Sequence, residues 1–441
     1  MPAMDMILSA LPKILFGLFG LGVLVSIAVL FSNNRSVINW KLVGAGIGLQ
    51  VGFALIVINS DIGRAIFESI STVFVTVIGF ATTGADFIFG PLAHPENLGF
   101  IFAFQVLPTI IFFASLMGVL YHLGIMQKIV SGMAWVMYKA MKVSGAETLS
   151  VAANVFVGQT EAPLVVRPYI SKMTQSELLT MMIGGMATIA GGVLAAYIIL
   201  LGGADEALKL FYAKHLLSAS IMAAPATIVM AKILIPETEE SVTRGSVTLN
   251  VEKTASNVIE AAANGAGDGV KLALNVGGML LAFLALIAMI DYPLGAIGSL
   301  LGIEAAIGEP LSLSLILGYV LAPLAWVIGV PWQDGVPFQN QDIVAVGALI
   351  GQKVVANEFL AYVSLNEIKD TLSQHAVLIS TYALCGFANF SSIAIQLGGI
   401  GGLAPERKPD LAKYGLRAVL GGTLVTMMTA TIAGVLTSIG Q

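Results

Sequence analysis

Two carboxylates stand inside apolar stretches of this chain, Glu161 within Ala146–Tyr169 and Glu358 within Leu311–Leu365. A charge in apolar surroundings is costly unless paired or hydrogen-bonded, so each acid is a functional candidate before it is a structural one. The structural alternative is an ion pair with a nearby base, Arg167 or Lys353. Each acid adjoins an amide or hydroxyl, in Gln159-Thr160-Glu161 and Asn357-Glu358, and Asn389 and Ser392 add a second amide–hydroxyl pair on one helical face. Carboxylates accept from hydroxyls, and amides both donate and accept. A group of this kind without a cation suits a neutral, polyhydroxylated ligand, and Phe387 offers an apolar wall for a flat ring.

The elements that position these groups must lie in lipid. Of 441 residues 57% are hydrophobic and 11% charged, with mean hydropathy +0.91. Soluble domains carry about 25% charged residues. No Asp, Glu, Lys or Arg occurs in Ile14–Asn34, Leu42–Ser60, Asn97–Gln127, Leu178–Ala204, Leu272–Ile290, Thr371–Pro405 or Ala418–Gln441. A membrane helix needs about 20 apolar residues. Eight spans are expected near 14–34, 42–60, 97–122, 178–203, 215–235, 272–290, 376–402 and 415–439. The single cysteine, Cys385, excludes an intrachain disulfide, and the net charge of −5 says little about partners. The 48 glycines are read as close helix packing, notably Gly184-Gly185, Gly191-Gly192 and Gly421-Gly422.

The distribution of Lys and Arg places both termini outside the cell and the loops near 128–172 and 407–417 inside. The charged stretch Glu237–Lys271 is then cytoplasmic, with an interfacial helix near Val258-Ile259. Two segments are not simple spans. Ala146–Tyr169 is broken by Gly158-Gln159-Thr160-Glu161-Ala162-Pro163, and Leu311–Leu365 by Gly329-Val330-Pro331-Trp332-Gln333-Asp334, which is nearly duplicated through Asp342. Each reads as a re-entrant hairpin, and each precedes a span with polar interruptions, at Thr188 and at Asn389–Ser392. Hairpin plus broken helix, twice and in opposite orientation, is the pattern of an inverted-repeat secondary transporter. The fold expected is an all-α polytopic membrane protein with about eight spans and two opposed hairpins. Its parts are 1–95 (spanning and interfacial helices), 96–145 (scaffold helix and interfacial segment), 146–236 (first hairpin, broken helix and span), 237–310 (interfacial segment and scaffold helix) and 311–441 (second hairpin, broken helix and last span).

Three segments in order, Val157-Gly-Gln-Thr-Glu-Ala-Pro-Leu164, Asn357-Glu-Phe-Leu-Ala-Tyr362 and Cys385-Gly-Phe-Ala-Asn-Phe-Ser-Ser-Ile-Ala-Ile395, closely resemble the signatures of concentrative nucleoside transporters. Ile350-Gly-Gln-Lys353 and Ala263-Asn-Gly-Ala266 fit the same pattern, and the resemblance runs from about residue 40 to the C-terminus. It implies a homotrimer in the cytoplasmic (inner) membrane whose hairpin domain moves against a fixed scaffold as an elevator. Gln159, Thr160 and Glu161 match the tip that faces the nucleobase. Glu358, Asn389 and Ser392 match ribose-binding positions, and Phe387 and Val193 match apolar contacts. In sodium-driven members the ion lies between the first tip and the unwound part of the next helix. The matching positions are Asn154, Val157, Thr188 and Ile189. Proton-driven relatives tend to carry Ser for Thr in the Gly-Gln-Thr-Glu motif and lack the Asn, so Asn154 and Thr160 favour sodium.

The expected activity is therefore sodium-coupled nucleoside (uridine-like) symport, with proton coupling, or another small polar solute, as alternatives. No organic cofactor, enzymatic activity or nucleic-acid partner is expected. A channel would need a continuous polar pore, and an intramembrane hydrolase a nucleophile–base pair or metal site. His94, His122, His215 and His375 are scattered and are expected in loops or at interfaces. An organic-acid carrier would want Arg or Lys in the site motifs.

Overall fold

The computed structural model describes residues 2–94, 99–243 and 255–439, and the regular elements among them are helical. Eight of its helical segments are long and apolar enough to cross a membrane: 10–30, 40–59, 61–93, 102–122, 175–202, 206–234, 258–300 and 405–439. The eight differ from the sequence expectation by one span gained and one lost. The stretch after Asp61, read as a loop, is helix α3 (Asp61–Phe89), following α1 (Pro2–Leu30) and α2 (Trp40–Ala54). Its buried residues Ser71, Val75, Ile78, Ala81 and Ala85 form one stripe at helical spacing. The expected span 376–402 is instead two helices, each too short to cross. The expected start of the third span, at 97, falls among residues 95–98, outside the described ones.

The same order of elements occurs twice. Helix α4 (Leu107–His122) is followed by α5 (Ile125–Met141) and the hairpin arm α6 (Gly145–Asn154). A tip at 155–161 and a short return at 162–170 lead to α7 (Gln175–Ala187), a break at 188–190, α8 (Gly191–Gly202) and the long α9 (Glu206–Leu234). In the second half come α10 (Val258–Leu300), α11 (Leu313–Val327) and the arm α12 (Asp342–Val355). A tip at 356–357, α13 (Glu358–Ile368), α14 (Gln374–Ala383), a break at 384–389, α15 (Phe390–Leu403) and α16 (Lys408–Ile439) complete it.

This arrangement relocates the second tip. The Gly/Pro-rich segment 329–342 joins α11 to α12, folded on itself by Gln341, whose side chain bonds Gln333 N and O and Val336 O at 2.6–2.7 Å. Gly329 and Gly335 have φ of 109° and 78° there, which only glycine adopts freely. The re-entrant turn lies at Ala356-Asn357, where Asn357 Oδ1 accepts from Leu360 N and caps α13. The interfacial helix expected near 258 is the start of the 43-residue α10, while residues 244–254 of that stretch lie outside the described ones.

Burial separates two shells. The apolar window of α9 is 89% buried, against 11% for α10. Helices α4 and α10 pair along a small-residue seam. A methyl group at Gly265 would lie 2.5 Å from Ala114 O, and one at Gly269 2.7 Å from Ile111 Cα. The base of the first hairpin is held by ions. Ser144 and Thr174 start α6 and α7 with capping boxes completed by Glu147 and Glu177. Buried Lys232, in the last turn of α9, pairs with Glu147 at 2.9 Å and Glu237 at 3.0 Å and donates to Ser176 Oγ. Removing one member strands a buried charge at a cost of about 3–5 kcal/mol. Lys232→Met is therefore expected to lower the Tm of the detergent-solubilised protein sharply, and adding Glu147→Gln to recover part of the loss. A single variant as stable as the parent would show that the network holds nothing.

Candidate functional site

The two tips and the two broken helices meet in one hydrogen-bonded chain. Glu358 opens α13, where the partial positive charge of the helix start favours a carboxylate. Its Oε1 accepts from Tyr197 OH at 3.1 Å and its Oε2 from Asn389 Nδ2 at 3.0 Å. Asn389 also caps α15, accepting from Ser392 N at 2.9 Å and Ser391 Oγ at 2.7 Å. Ser392 Oγ accepts from Gln159 Nε2 of the first tip at 3.1 Å. Gln159 Oε1 in turn accepts from Gln396, which also donates to Met182 O of α7. Gln159, Glu358, Asn389, Ser392 and Tyr197 are all buried. Two helix starts and a hairpin tip thus converge on a cluster of acceptors and amides, an arrangement able to trade internal hydrogen bonds for those of a ligand rich in hydroxyls.

Close approach requires glycine. A methyl at Gly185 would sit 2.7 Å from Gln159 Cβ, and one at Gly386 2.8 Å from Met186 O, where the second break crosses the end of α7. These glycines, Gly185 among them, do more than pack spans together.

The two acids do not line the same cavity. Glu161 is exposed, accepts from Thr160 Oγ1 at 2.9 Å, and lines a cavity of about 330 Å³ with Tyr121, His122, Phe156, Val157 and Asp268. Glu358 does not line that cavity, and reaches the first tip through Asn389, Ser392 and Gln159. The tip turns Glu161 outward because Gly158 leaves room for its carboxylate, whose Oε2 would lie 2.3 Å from a methyl there. Neither base pairs with these acids: Lys353 donates to Ala383 O and Thr426 Oγ1, both at 2.8 Å, and Arg167 is exposed. Val193 is buried and Phe387 half-buried.

At the first break, Thr188 is extended and donates to Gly184 O at 2.9 Å, leaving its lone pairs free. Asn154 ends α6 and donates to Ser150 O at 3.1 Å, while its Oδ1 is buried without a hydrogen-bond partner. A methyl on Gly184 would lie 3.2 Å from Asn154 Nδ2, so the amide and the Thr188 turn adjoin. Val157 and Ile189 flank this junction, the former half-buried and the latter buried. An unpartnered buried carbonyl oxygen beside a helix's carbonyl end fits a hard cation.

Two participants escaped the sequence reading. Tyr197 is the single aromatic of Gly191–Gly202 and reads as a packing residue of an apolar helix, although a buried phenol usually finds a partner. Gln396 lies one turn beyond Ser392 on the same face, a spacing that could have found it. His215 is buried in α9 and bonds Tyr382 OH at 3.0 Å, so it is not in a loop. Among the described residues no three His, Cys, Asp or Glu side chains are grouped to hold a metal ion.

Comparison with known proteins places this architecture. Residues 19–92 and 215–434 match the profiles of the N-terminal and C-terminal parts of Na+ dependent nucleoside transporters, and residues 103–204 match a nucleoside-recognition gate profile. An uncharacterized transporter of Haemophilus influenzae is 44% identical over 97% of this chain and 99% of its own length. Sodium/nucleoside cotransporter 1 of Mus musculus is 39% identical over 94% of this chain, which spans 63% of that longer protein. The solved structure of CNTnw in an inward-facing substrate-bound state is 42% identical, with TM-score 0.85 over 96% of this chain and 99% of that one. A doubly substituted CNTnw in an outward-facing state gives 0.87 at 42% identity, over 97% and 98% of the two chains. With near-complete coverage at this identity, an all-helical inverted-repeat fold and the same two hairpins, the chain belongs to the Na+ dependent, or concentrative, nucleoside transporter family: it is a multi-pass membrane transporter and not an enzyme.

Proposed function

We propose that this chain carries a nucleoside together with sodium across the membrane, the hairpin domain moving as an elevator against the paired scaffold helices α4 and α10. The observation that carries the reading is the chain from Gln159 through Ser392 and Asn389 to Glu358, which ties both hairpin tips to the second broken helix and, through Tyr197 and Gln396, to the first. Ribose hydroxyls replace the internal partners of Glu358 and Asn389. Gln159 faces the base from the buried side of the first tip and Thr160 and Glu161 from its cavity side, Ser392 bridges the two ends, and Val193 and Phe387 supply apolar contact. A uridine-like nucleoside offers donors and acceptors of this pattern, and a homotrimer covers the apolar outer faces of the scaffold.

Sodium coupling is supported by the Asn154 junction. The unpartnered Asn154 Oδ1 and the free lone pairs of Thr188 Oγ1, with carbonyls of Val157 and Ile189, form an all-oxygen set without net charge. The ion ties the first tip to the broken helix, so it orders Gln159 for the nucleoside. The mouse relative bears sodium and nucleoside in its name, and CNTnw is described with substrate bound.

Two outcomes follow. Glu358→Gln, which keeps shape but removes two charged acceptors, is expected to cut uridine uptake by about tenfold to a hundredfold, since a hydrogen bond to a charged group contributes about 1.5–3 kcal/mol. Uptake close to the parent's by a correctly inserted variant would remove Glu358 from the site. In proteoliposomes, replacing external sodium by choline is expected to abolish uridine accumulation even across an inward proton gradient. Full accumulation there would mean proton coupling.

A further inference from the structure

The two repeats handle the same junction differently. In each, the first hairpin arm ends against the carbonyl end of the helix that precedes a break, where the last carbonyls lack intrahelical partners and carry partial negative charge. At the first junction, α6 ends in Asn154 beside α7, and the Asn154 oxygen has no hydrogen-bond donor. At the second, the same place holds an ammonium group. Lys353 is wholly buried near the end of α12, and its Nζ donates to the carbonyl of Ala383, the last residue of α14, and to Thr426 Oγ1 on α16.

The correspondence is one of position as well as chemistry. The sequence offset that separates Ser144 from Gln341, the N-caps of the two arms, also separates Glu161 from Glu358, and it carries Phe156 onto Lys353, two residues past Asn154. Phe156 O accepts from Gly191 N across the first break, so both positions reach a broken helix. The partners of Lys353 are one carbonyl and one hydroxyl, the oxygen types gathered at the first junction by Asn154, Thr188 and nearby carbonyls. No carboxylate is among its hydrogen-bond partners, which sets it apart from Lys232, paired with two acids. Glu358 acts on Lys353 through space without a hydrogen bond, and a buried ammonium with no bonded acid is costly unless its surroundings are built for a positive charge.

We propose that Lys353 is a tethered cation that fills, in the second repeat, the station that the coupling sodium takes in the first. It holds the second arm to the second break without a dissociable ion, so the protomer couples one sodium ion to each nucleoside. This rests on the sodium reading above. A charge fixed to the moving domain answers to membrane voltage but not to the sodium gradient, whereas a bound ion answers to both.

The test is the coupling ratio of the full chain in proteoliposomes, from the sodium gradients that null net flux of labelled uridine at set membrane voltages. The parent is expected to give one sodium per uridine. Lys353→Arg, which keeps the tethered charge, is expected to give the same ratio. Lys353→Asn removes the charge and restores a carbonyl oxygen like that of Asn154. It is expected to raise the ratio to two, and the Hill coefficient for sodium from about one toward two. A parental ratio of two, or a transporting Lys353→Asn protein with an unchanged ratio, overturns the proposal. If Lys353→Asn fails to fold, the parental ratio still decides. Accumulation indifferent to sodium overturns the sodium reading itself, a result distinct from a sodium-driven ratio of two.

Discussion

Backbone that leaves a helix inside a bilayer has no water to bond, so every exposed N–H and C=O there must find protein, ligand or ion. The rest of this molecule follows from that demand. Its two hairpins and two broken helices are possible because their free backbone groups find partners within the protein, some in local caps and some in another irregular stretch. Asn357 and Asn389 cap the helices that restart after the second tip and the second break, and Phe156 O takes the Gly191 amide across the first. Once four ends are brought together for this reason, a site already exists, since the Asn389 cap, Gln159 of the first tip and the Glu358 carboxylate all point inward. Binding at such a place exchanges internal hydrogen bonds for external ones, and the exchange is what lets a closed structure open.

The same demand explains the asymmetry between the halves. Both junctions present a helix's carbonyl end to the first arm of a hairpin, and both call for positive charge. One keeps an amide oxygen unsatisfied at Asn154, and the other is closed by Lys353. An exchangeable cation suits the half whose tip carries Gln159 into the network. A permanent one suits the half that supplies Glu358, where rigidity fixes the carboxylate. Around them the buried ion network at Lys232 binds the first arm to α7 and α9. The outer pair α4 and α10 joins through close glycine contacts.

Much of this was legible because amides and carboxylates in apolar runs have few ordinary reasons to be there. Glu358, Asn389, Ser392 and Gln159 are found that way, and they form one chain. What escaped notice did so for physical causes. The Gly/Pro signal at 329–335 is a stronger breaker than the true tip at 356–357, which turns without either residue and is marked only by an Asn cap. Helix α3 hid because Asp61, Arg64, Glu68 and Asp86 cut its charge-free middle below the length of a span. Tyr197 is indistinguishable by type from packing aromatics, and its role depends on a carboxylate far away in sequence. The outward turn of Glu161 depends on how Gly158 lets the tip curl, which no spacing rule reports.

The central claim is that the acceptors of the second half, Glu358 foremost, are reserved for the hydroxyls of a sugar. The most direct measurement is displacement of labelled uridine from the purified protein in sodium by 2′,3′-dideoxyuridine. Losing both hydroxyls should leave buried acceptors unpaired and weaken displacement by at least about tenfold to a hundredfold relative to uridine. Equal potency of the two compounds would contradict the account.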